Sequence, residues 1–292
     1  MPIHTYQFFS PADSARMSKL QLTARQVVEG GITGRHKSSH RGFSVEFTEH
    51  RDYVPGDELR HLDWRAYART DRYYIKLYAQ ETNLRANLVL DNSASMTFAN
   101  KLDYARHLAA CLAYLLASQQ DLAGLTAVDD AIRIELPPGS SPTHLDRLFR
   151  ELEALQPGRL TDLSAQLHGL AERLPRRSLV IVLSDLWVRD AAEFARALRH
   201  LRYRRHQAIV LHLLDPAEID LPYDRQIALQ DLETGVKVQI DPREMREAYR
   251  SKVEQFIGSM RRACSEAGVE YTAMYVNEPY EKALVRWINR RQ

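Results

Sequence analysis

From residue 84 onward the chain alternates short apolar runs with amphipathic stretches, and this rhythm restricts the fold more than any other feature. Leu88-Val89-Leu90 precedes a helical pattern at about 99–118, and Leu122 to Val128 and Ala131 to Leu136 read as two strands joined at Asp129-Asp130. Helical patterns near 143–155 and 162–174 lead to the β-branched run Leu179-Val180-Ile181-Val182-Leu183, a helix at about 190–204 and the strand Ala208 to Leu214. Strands that are apolar at every position must be covered on both faces, as parallel sheets flanked by helices are. The pattern predicts an α/β fold, a doubly wound, mostly parallel six-stranded sheet of the Rossmann-like kind. Ala131 to Leu136 should run antiparallel at one edge, because Asp129-Asp130 is too short for a crossover helix. Leu108 to Ala117 is apolar on every side, which places that helix at the centre.

Two segments depart from the rhythm. Gln226 to Ile240 reads as an inserted β-hairpin turning at Glu233-Thr234-Gly235, after which Pro242 opens a long helix to about Ala267. Val269 to Val276 is then a last strand and Glu281 to Asn289 a closing helix. Residues 1–83 hold a helical pattern near 13–29, a Gly/His/Ser-rich loop at 30–42, and strand-like pieces at Phe43 to Phe47 and Tyr73 to Tyr78. The division expected is a β-rich N-terminal elaboration over 1–83 and an α/β domain over 84–292.

Composition excludes several functions. With 40 Lys+Arg against 38 Asp+Glu the net charge is +2, without the excess that marks a nucleic-acid binder. The basic clusters Arg202-Tyr203-Arg204-Arg205 and Arg261-Arg262 read as solvated helix ends. Cys111 and Cys264 form no metal-binding spacing and read as reduced thiols. Met1 to Ser10 lacks the pattern of a signal peptide, and the longest apolar run, Leu108 to Ala117, is ten residues against the roughly 20 that span a bilayer. A cytoplasmic protein with no membrane segment is expected. There is no G-x-S-x-G elbow and no phosphate-binding G-x-x-x-x-G-K-[ST] loop. An aspartyl-phosphate mechanism of the D-x-D type would need an acid where Ser93 stands. His36 and His40 are spaced H-x3-H, but Gly30, Gly31 and Gly34 argue against the helix that would present them to zinc.

The chemistry gathers where open α/β sheets bind ligands, at the carboxyl ends of the strands. The first strand ends in Asp91-Asn92-Ser93-Ala94-Ser95-Met96, a D-x-S-x-S sequence, and the later strand ends in Ser184-Asp185-Leu186. Between them, Gly158-Arg159-Leu160-Thr161-Asp162 brings a loop with another hydroxyl into a helix. Asp91, Ser93, Ser95, Thr161 and Asp185 together suit a hard divalent cation, Mg²⁺ or Mn²⁺, bound weakly with a coordination position open. The competing reading makes Ser93, Ser95 and Thr161 helix N-caps, with Asp162 contending for the last.

Asp91-x-Ser93-x-Ser95, Thr161 and Asp185 resemble the metal-ion-dependent adhesion site of von Willebrand factor A (vWA) domains. The resemblance implies that hydroxyls and a carboxylate hold Mg²⁺ while a ligand carboxylate completes its shell. Phe43-Ser44-Val45-Glu46-Phe47 and the run Arg51-Asp52-Tyr53-Val54-Pro55-Gly56-Asp57-Glu58-Leu59-Arg60-His61-Leu62-Asp63-Trp64-Arg65-Ala66-Tyr67-Ala68-Arg69 are similar to the signature of the DUF58 family. These are bacterial proteins with a vWA-like domain, often encoded beside MoxR-type AAA+ ATPases. The likeness extends through Leu214-Asp215-Pro216-Ala217-Glu218, the hairpin and the terminal helix. Glu58 and Tyr67 stand where the family usually has another acid and a small residue, away from the metal positions. In physical terms Pro55-Gly56 is a turn signal and Trp64 a large apolar anchor, with Asp57, Arg60, Asp63, Arg65 and Arg69 able to pair with one another.

The resemblance implies a non-enzymatic, metal-dependent interaction adaptor that works with a MoxR-type AAA+ ATPase and presents its metal to a client protein's carboxylate. The alternative is a metal-assisted hydrolase using Asp91 and Asp185 to activate water, for which Lys101 is the plausible base nearby in sequence.

Overall fold

The computed structural model describes residues 6–22, 46–54, 62–79, 83–158, 162–188, 190–232 and 235–291. In chain order the elements begin with α1 (Pro11–Met17), β1 (Glu46–Asp52), α2 (Trp64–Thr70), β2 (Tyr74–Ala79), β3 (Arg85–Asp91) and a 3₁₀ segment over Ala94–Asn100. They continue with α3 (Lys101–Ser118), β4 (Leu122–Val128), β5 (Ile132–Gly139), α4 (Pro142–Ala154), α5 (Leu163–Arg173), β6 (Leu179–Ser184), α6 (Ala191–Tyr203) and β7 (Gln207–Leu214). The last are α7 (Pro216–Asp220), β8 (Ile227–Gln230), β9 (Lys237–Ile240), α8 (Pro242–Glu266), β10 (Glu270–Tyr275) and α9 (Tyr280–Asn289).

The larger unit is the expected doubly wound α/β fold. Its six strands lie in the order β10-β7-β6-β3-β4-β5, parallel except for β5, which pairs antiparallel with β4 at one edge. The period-2 alternation of side chains sorts the central strand between two cores. Leu88 and Leu90 join α3, α4 and α9 on one face, while Val89, Val180, Val182 and Val210 join α5, α6 and α8 on the other. Leu108, Ala109, Cys111, Leu112, Ala113, Leu115 and Leu116 of α3 are all at 0% exposure, so that helix is buried on most of its faces, with the stripe of Asp103, His107, Tyr114 and Ser118 reaching solvent. β5 carries Pro137 and Pro138 at a bulge, opposite Gly124, where a Cβ would come within 3.0 Å of the Pro138 nitrogen. Proline is tolerated there because the strand is an edge.

The expected division at 83/84 needs one correction. The compact unit that contains the sheet also takes in residues 1–24, leaving 25–83 as the second unit. Of the helix predicted near 13–29, α1 ends at Met17 and residues 18–22 are not helical, while 23–29 lie outside the described residues. Ser10 and Asp13 close a capping box at the start of α1, and Asp13 accepts from the Tyr280 hydroxyl at 3.1 Å. The chain then leaves the helix to bury Leu22, whose N–H donates to Gln119 Oε1 at 3.2 Å. Tertiary burial overrides the helical pattern here.

In the second unit β1 and β2 form an antiparallel pair with a register shift between Phe47 and Glu49. Between them lies α2, which the sequence reading did not foresee. Asp63 is its N-cap, accepting from the N–H groups of Arg65 and Ala66 at 3.0 and 3.1 Å. Trp64 is 60% exposed and therefore not the apolar anchor expected; among the described residues the buried apolar ones are Leu62, Ala66 and Ile75. Two residues along a helix is a turn of about 200°, so with Ala66 facing inward Trp64 faces outward. Tyr67 stacks on Tyr73 with centroids 4.5 Å apart. Of the charged residues expected to pair, Asp57 and Arg60 lie outside the described residues, as do His36, His40 and Pro55-Gly56.

The β8–β9 hairpin forms where expected, with Gly235 at φ +75 in its turn. No helix among the described residues is long and apolar enough to cross a membrane.

Candidate functional site

Strand order reverses between β3 and β6: the chain runs from β3 outward to β4 and β5, then returns to start again at β6. The crevice at such a switch point is where this architecture places ligands. Asp91 is the last residue of β3 and Asp185 follows β6, so the topology brings both carboxylates to it.

Asp91 is 1% exposed. Its Oδ1 accepts from the Ser93 N–H at 3.0 Å and its Oδ2 from the Ser184 hydroxyl at 2.5 Å. Burial, and then the charge of Asp185, push its carboxyl up to about 6, against the hydrogen bonds from Ser184 and Ser93. Ser184 in turn accepts from the Leu186 N–H at 2.8 Å. Ser93 is fully buried, and its Oγ lies 3.0 Å from Ser95 Oγ. Although Ser93 occupies the N-cap position of the 3₁₀ segment, its side chain makes no capping bond. Asp162 caps α5, accepting from the Ala165 N–H at 3.2 Å, and Thr161 lies outside the described residues.

Asp185 is held by a group that sequence reasoning considered only as a base. Lys101, the first residue of α3, is wholly buried, and its Nζ reaches Asp185 Oδ2 at 2.6 Å and Glu218 Oε1 of α7 at 2.5 Å. Burial works against the ammonium, but the two carboxylates outweigh it and raise its pKa. Burial draws the Glu218 carboxyl up, against the pull of Lys101. His212 donates through Nε2 to the Asp185 carbonyl at 2.8 Å, so its Nδ1 accepts from the Tyr271 hydroxyl at 2.7 Å. Burial pushes His212 down to about 4, and it is neutral at physiological pH.

The backbone around these groups is strained. Ala99, Asn100 and Leu186 have φ of 51, 58 and 56, in the left-handed region that non-glycine residues enter at a cost of about 1–3 kcal/mol each. Such residues cluster where a site demands a fixed geometry.

Beside the crevice lies an open cleft of about 770 Å³, lined by Asn92, Asp129, Arg133, Glu151 and Gly158 among others. Asn92 donates from Nδ2 to the Gln156 carbonyl at 2.7 Å, while its buried Oδ1 has no hydrogen-bond partner. A Cβ on Gly158 would lie 2.1 Å from Asp129 Oδ2, so only glycine lets the loop pass. Asp129 is clasped by Arg133 Nε at 2.7 Å, which holds its carboxyl below the usual range although burial acts the other way.

The donors fit a small hard cation in part. Neighbouring ligands of an octahedral Mg²⁺ with bonds of 2.0–2.1 Å are about 2.9 Å apart, and the Ser93 and Ser95 hydroxyl oxygens are 3.0 Å apart. Asp91 is a buried carboxylate that no cation among the described residues pairs with. Asp185, by contrast, already gives one oxygen to Lys101. Among the described residues no group of three or more His, Cys, Asp or Glu is placed to hold a metal, so a cation here would depend on hydroxyls and water as much as on carboxylates. Lys101, the base weighed for the hydrolytic alternative, is a doubly paired ammonium, and both nitrogens of His212 are engaged.

Residues 49–256 match the family model described as protein of unknown function DUF58. Uncharacterized proteins of Mycobacterium bovis and Mycobacterium tuberculosis are 26% identical over 291 residues, covering 97% of this chain and 90% of theirs. Among solved structures, an aerotolerance-related membrane protein from Bacteroides fragilis is 17% identical with a TM-score of 0.49, covering 71% of this chain and 100% of that one. The conserved hypothetical protein BatB from Bacteroides thetaiotaomicron is 16% identical with a TM-score of 0.47, covering 71% and 98%. At these identities none of them lends an activity to this chain.

Proposed function

Since the chain belongs to the DUF58 family, we propose that it is a non-catalytic, metal-ion-dependent protein-interaction adaptor working in the cytoplasm. Asp91, Ser93 and Ser95 would hold Mg²⁺ or Mn²⁺, with Thr161 from the adjoining loop and Asp185 completing the set. When bound, the metal supplies an open coordination position for a carboxylate oxygen of a client protein. The residues of the chain do the rest. Ser184 and the Ser93 N–H fix the Asp91 carboxylate, and the buried strand ends keep bulk water from competing. The observation that supports this reading is the hydrogen-bonded pair of Ser93 and Ser95 hydroxyls, 3.0 Å apart, beside a buried carboxylate that no cation among the described residues pairs with.

The partner proposed is a MoxR-type AAA+ ATPase, on the resemblance set out above, with client assembly, maturation or remodelling as the joint task. Both thiols are buried and free, with Cys264 pushed up to about 12 by burial, which suits a reducing compartment. Calorimetry with Mg²⁺ and Mn²⁺ should give binding heats for the wild type and none for Asp91→Ala; equal heats from the two would make the serines simple turn residues. Association with a purified MoxR-type ATPase in the presence of nucleotide should be lost with EDTA. Association that ignores both EDTA and Asp91→Ala would remove the metal from the mechanism.

A further inference from the structure

Lys101 is a member of the crevice that neither the family signature nor the adaptor reading accounts for. A fully buried ammonium is tolerated only when carboxylates compensate for lost water, and here two do so, at 2.6 and 2.5 Å. Asp185 and Glu218 thus share one ammonium, and Asp91 lies close enough to Asp185 to feel its charge.

We propose that Lys101 is a tethered counter-cation that competes with the metal for Asp185 and thereby sets the affinity of the site. This rests on the reading of Asp91, Ser93, Ser95 and Asp185 as a divalent-cation site, and concerns how that site is regulated. Without metal, the ammonium bridges Asp185 and Glu218 and holds the crevice together against carboxylate repulsion. With metal, Asp185 is shared or released, and the ammonium stays on Glu218. Glu218 is fixed for that purpose: its Oε2 accepts from the Asp215 N–H at 3.3 Å, and its own carbonyl accepts from the Tyr249 hydroxyl at 2.7 Å. The tether is short, because Lys101 sits on the first turn of a helix buried along its length. An ammonium so placed makes binding weak and reversible, as befits an interaction that must be broken again.

The test is Mg²⁺ and Mn²⁺ calorimetry on the full chain. Lys101→Met removes the competitor and leaves the crevice more negative, so affinity should rise at least tenfold. Glu218→Gln leaves the ammonium with Asp185 alone and makes the crevice less negative, so affinity should fall several-fold. If Lys101 merely positions Asp185, Lys101→Met will bind metal no better than wild type or worse, which overturns the proposal. Should Lys101→Met fail to fold, Glu218→Gln decides: unchanged or tighter binding overturns it. Heats in the wild type that Asp91→Ala abolishes, with no tightening in Lys101→Met, sink this inference and spare the metal site. Identical heats for wild type and Asp91→Ala sink both.

Discussion

Asp91→Asn should make the metal-free protein more stable at neutral pH and unable to respond to Mg²⁺. The Asp91 carboxyl is raised from 3.8 to about 6, chiefly by burial. A shift of about two units corresponds to about 3 kcal/mol. Because the folded-state value is the higher one, the fold favours the protonated form. That contribution is fully present below pH 3.8 and is lost as pH rises through about 6. At pH 7.5 an ionised Asp91 therefore burdens the metal-free fold by about 3 kcal/mol relative to a neutral side chain of the same shape. Asparagine keeps the acceptor for the Ser93 N–H but presents an amide to Ser184, whose hydroxyl must then find another acceptor, at about 1 kcal/mol. The net expectation is about 2 kcal/mol in favour of Asp91→Asn at pH 7.5, or roughly 4 °C in Tm for a chain of this size. Near pH 4, where Asp91 itself is neutral, the variant should instead be the less stable by about 1 kcal/mol. Thermal melts by circular dichroism in EDTA, run from pH 4 to 7.5, should show the two curves cross. With Mg²⁺ at 100 times its Kd the wild type should gain about 2.7 kcal/mol and the variant nothing. A variant less stable at pH 7.5 in EDTA, or a difference that does not change with pH, would refute the account of Asp91 as a carboxylate waiting for a cation.

Other expectations follow from burial and close contact. Leu112→Ala, at a position with 0% exposure in the middle of α3, should cost about 2–5 kcal/mol in denaturant unfolding while leaving the m-value unchanged. Gly158→Ala forces its Cβ against Asp129 Oδ2, 2.1 Å away, so the Asp129–Arg133 clasp must shift. The melt should show a loss of about 1–3 kcal/mol, with Mg²⁺ heats retained, because the clasp lies in the neighbouring cleft. Cys111 and Cys264 should both resist a thiol reagent at pH 8 in the native protein and react at once in denaturant, since burial raises both thiols.

The sheet was legible because its strands carry their own evidence: a run such as Leu179 to Leu183 has no face that could meet water. The Asp129-Asp130 turn and the hairpin at Gly235 were legible from local turn chemistry. The position of Asp91 and Asp185 at the ends of β3 and β6 was legible too, because strand ends are fixed once the strands are. The Lys101–Glu218 pair was not, since its members are 117 residues apart and only the finished packing brings them together. A lysine at a helix start gives no sign that it points inward. The end of α1 at Met17 was hidden for a related reason: what stops it is the burial of Leu22 against the body of the protein, a contact with no local signature. Trp64 misled because size was read as burial, whereas the cap at Asp63 sets the phase of α2 and turns the indole outward.

The position of Pro137 and Pro138 has a consequence for how the protein behaves in a crowd. A sheet edge with free N–H groups is a template onto which another chain can add a strand, and growth of that kind is a route to aggregates. The outermost strand beyond β4 carries two consecutive residues that have no N–H to offer, set in a bulge that interrupts the pairing rhythm. Alternate N–H groups of an edge strand face outward, so an incoming strand would find a donor missing near the end of β5, where the bulge already breaks the register.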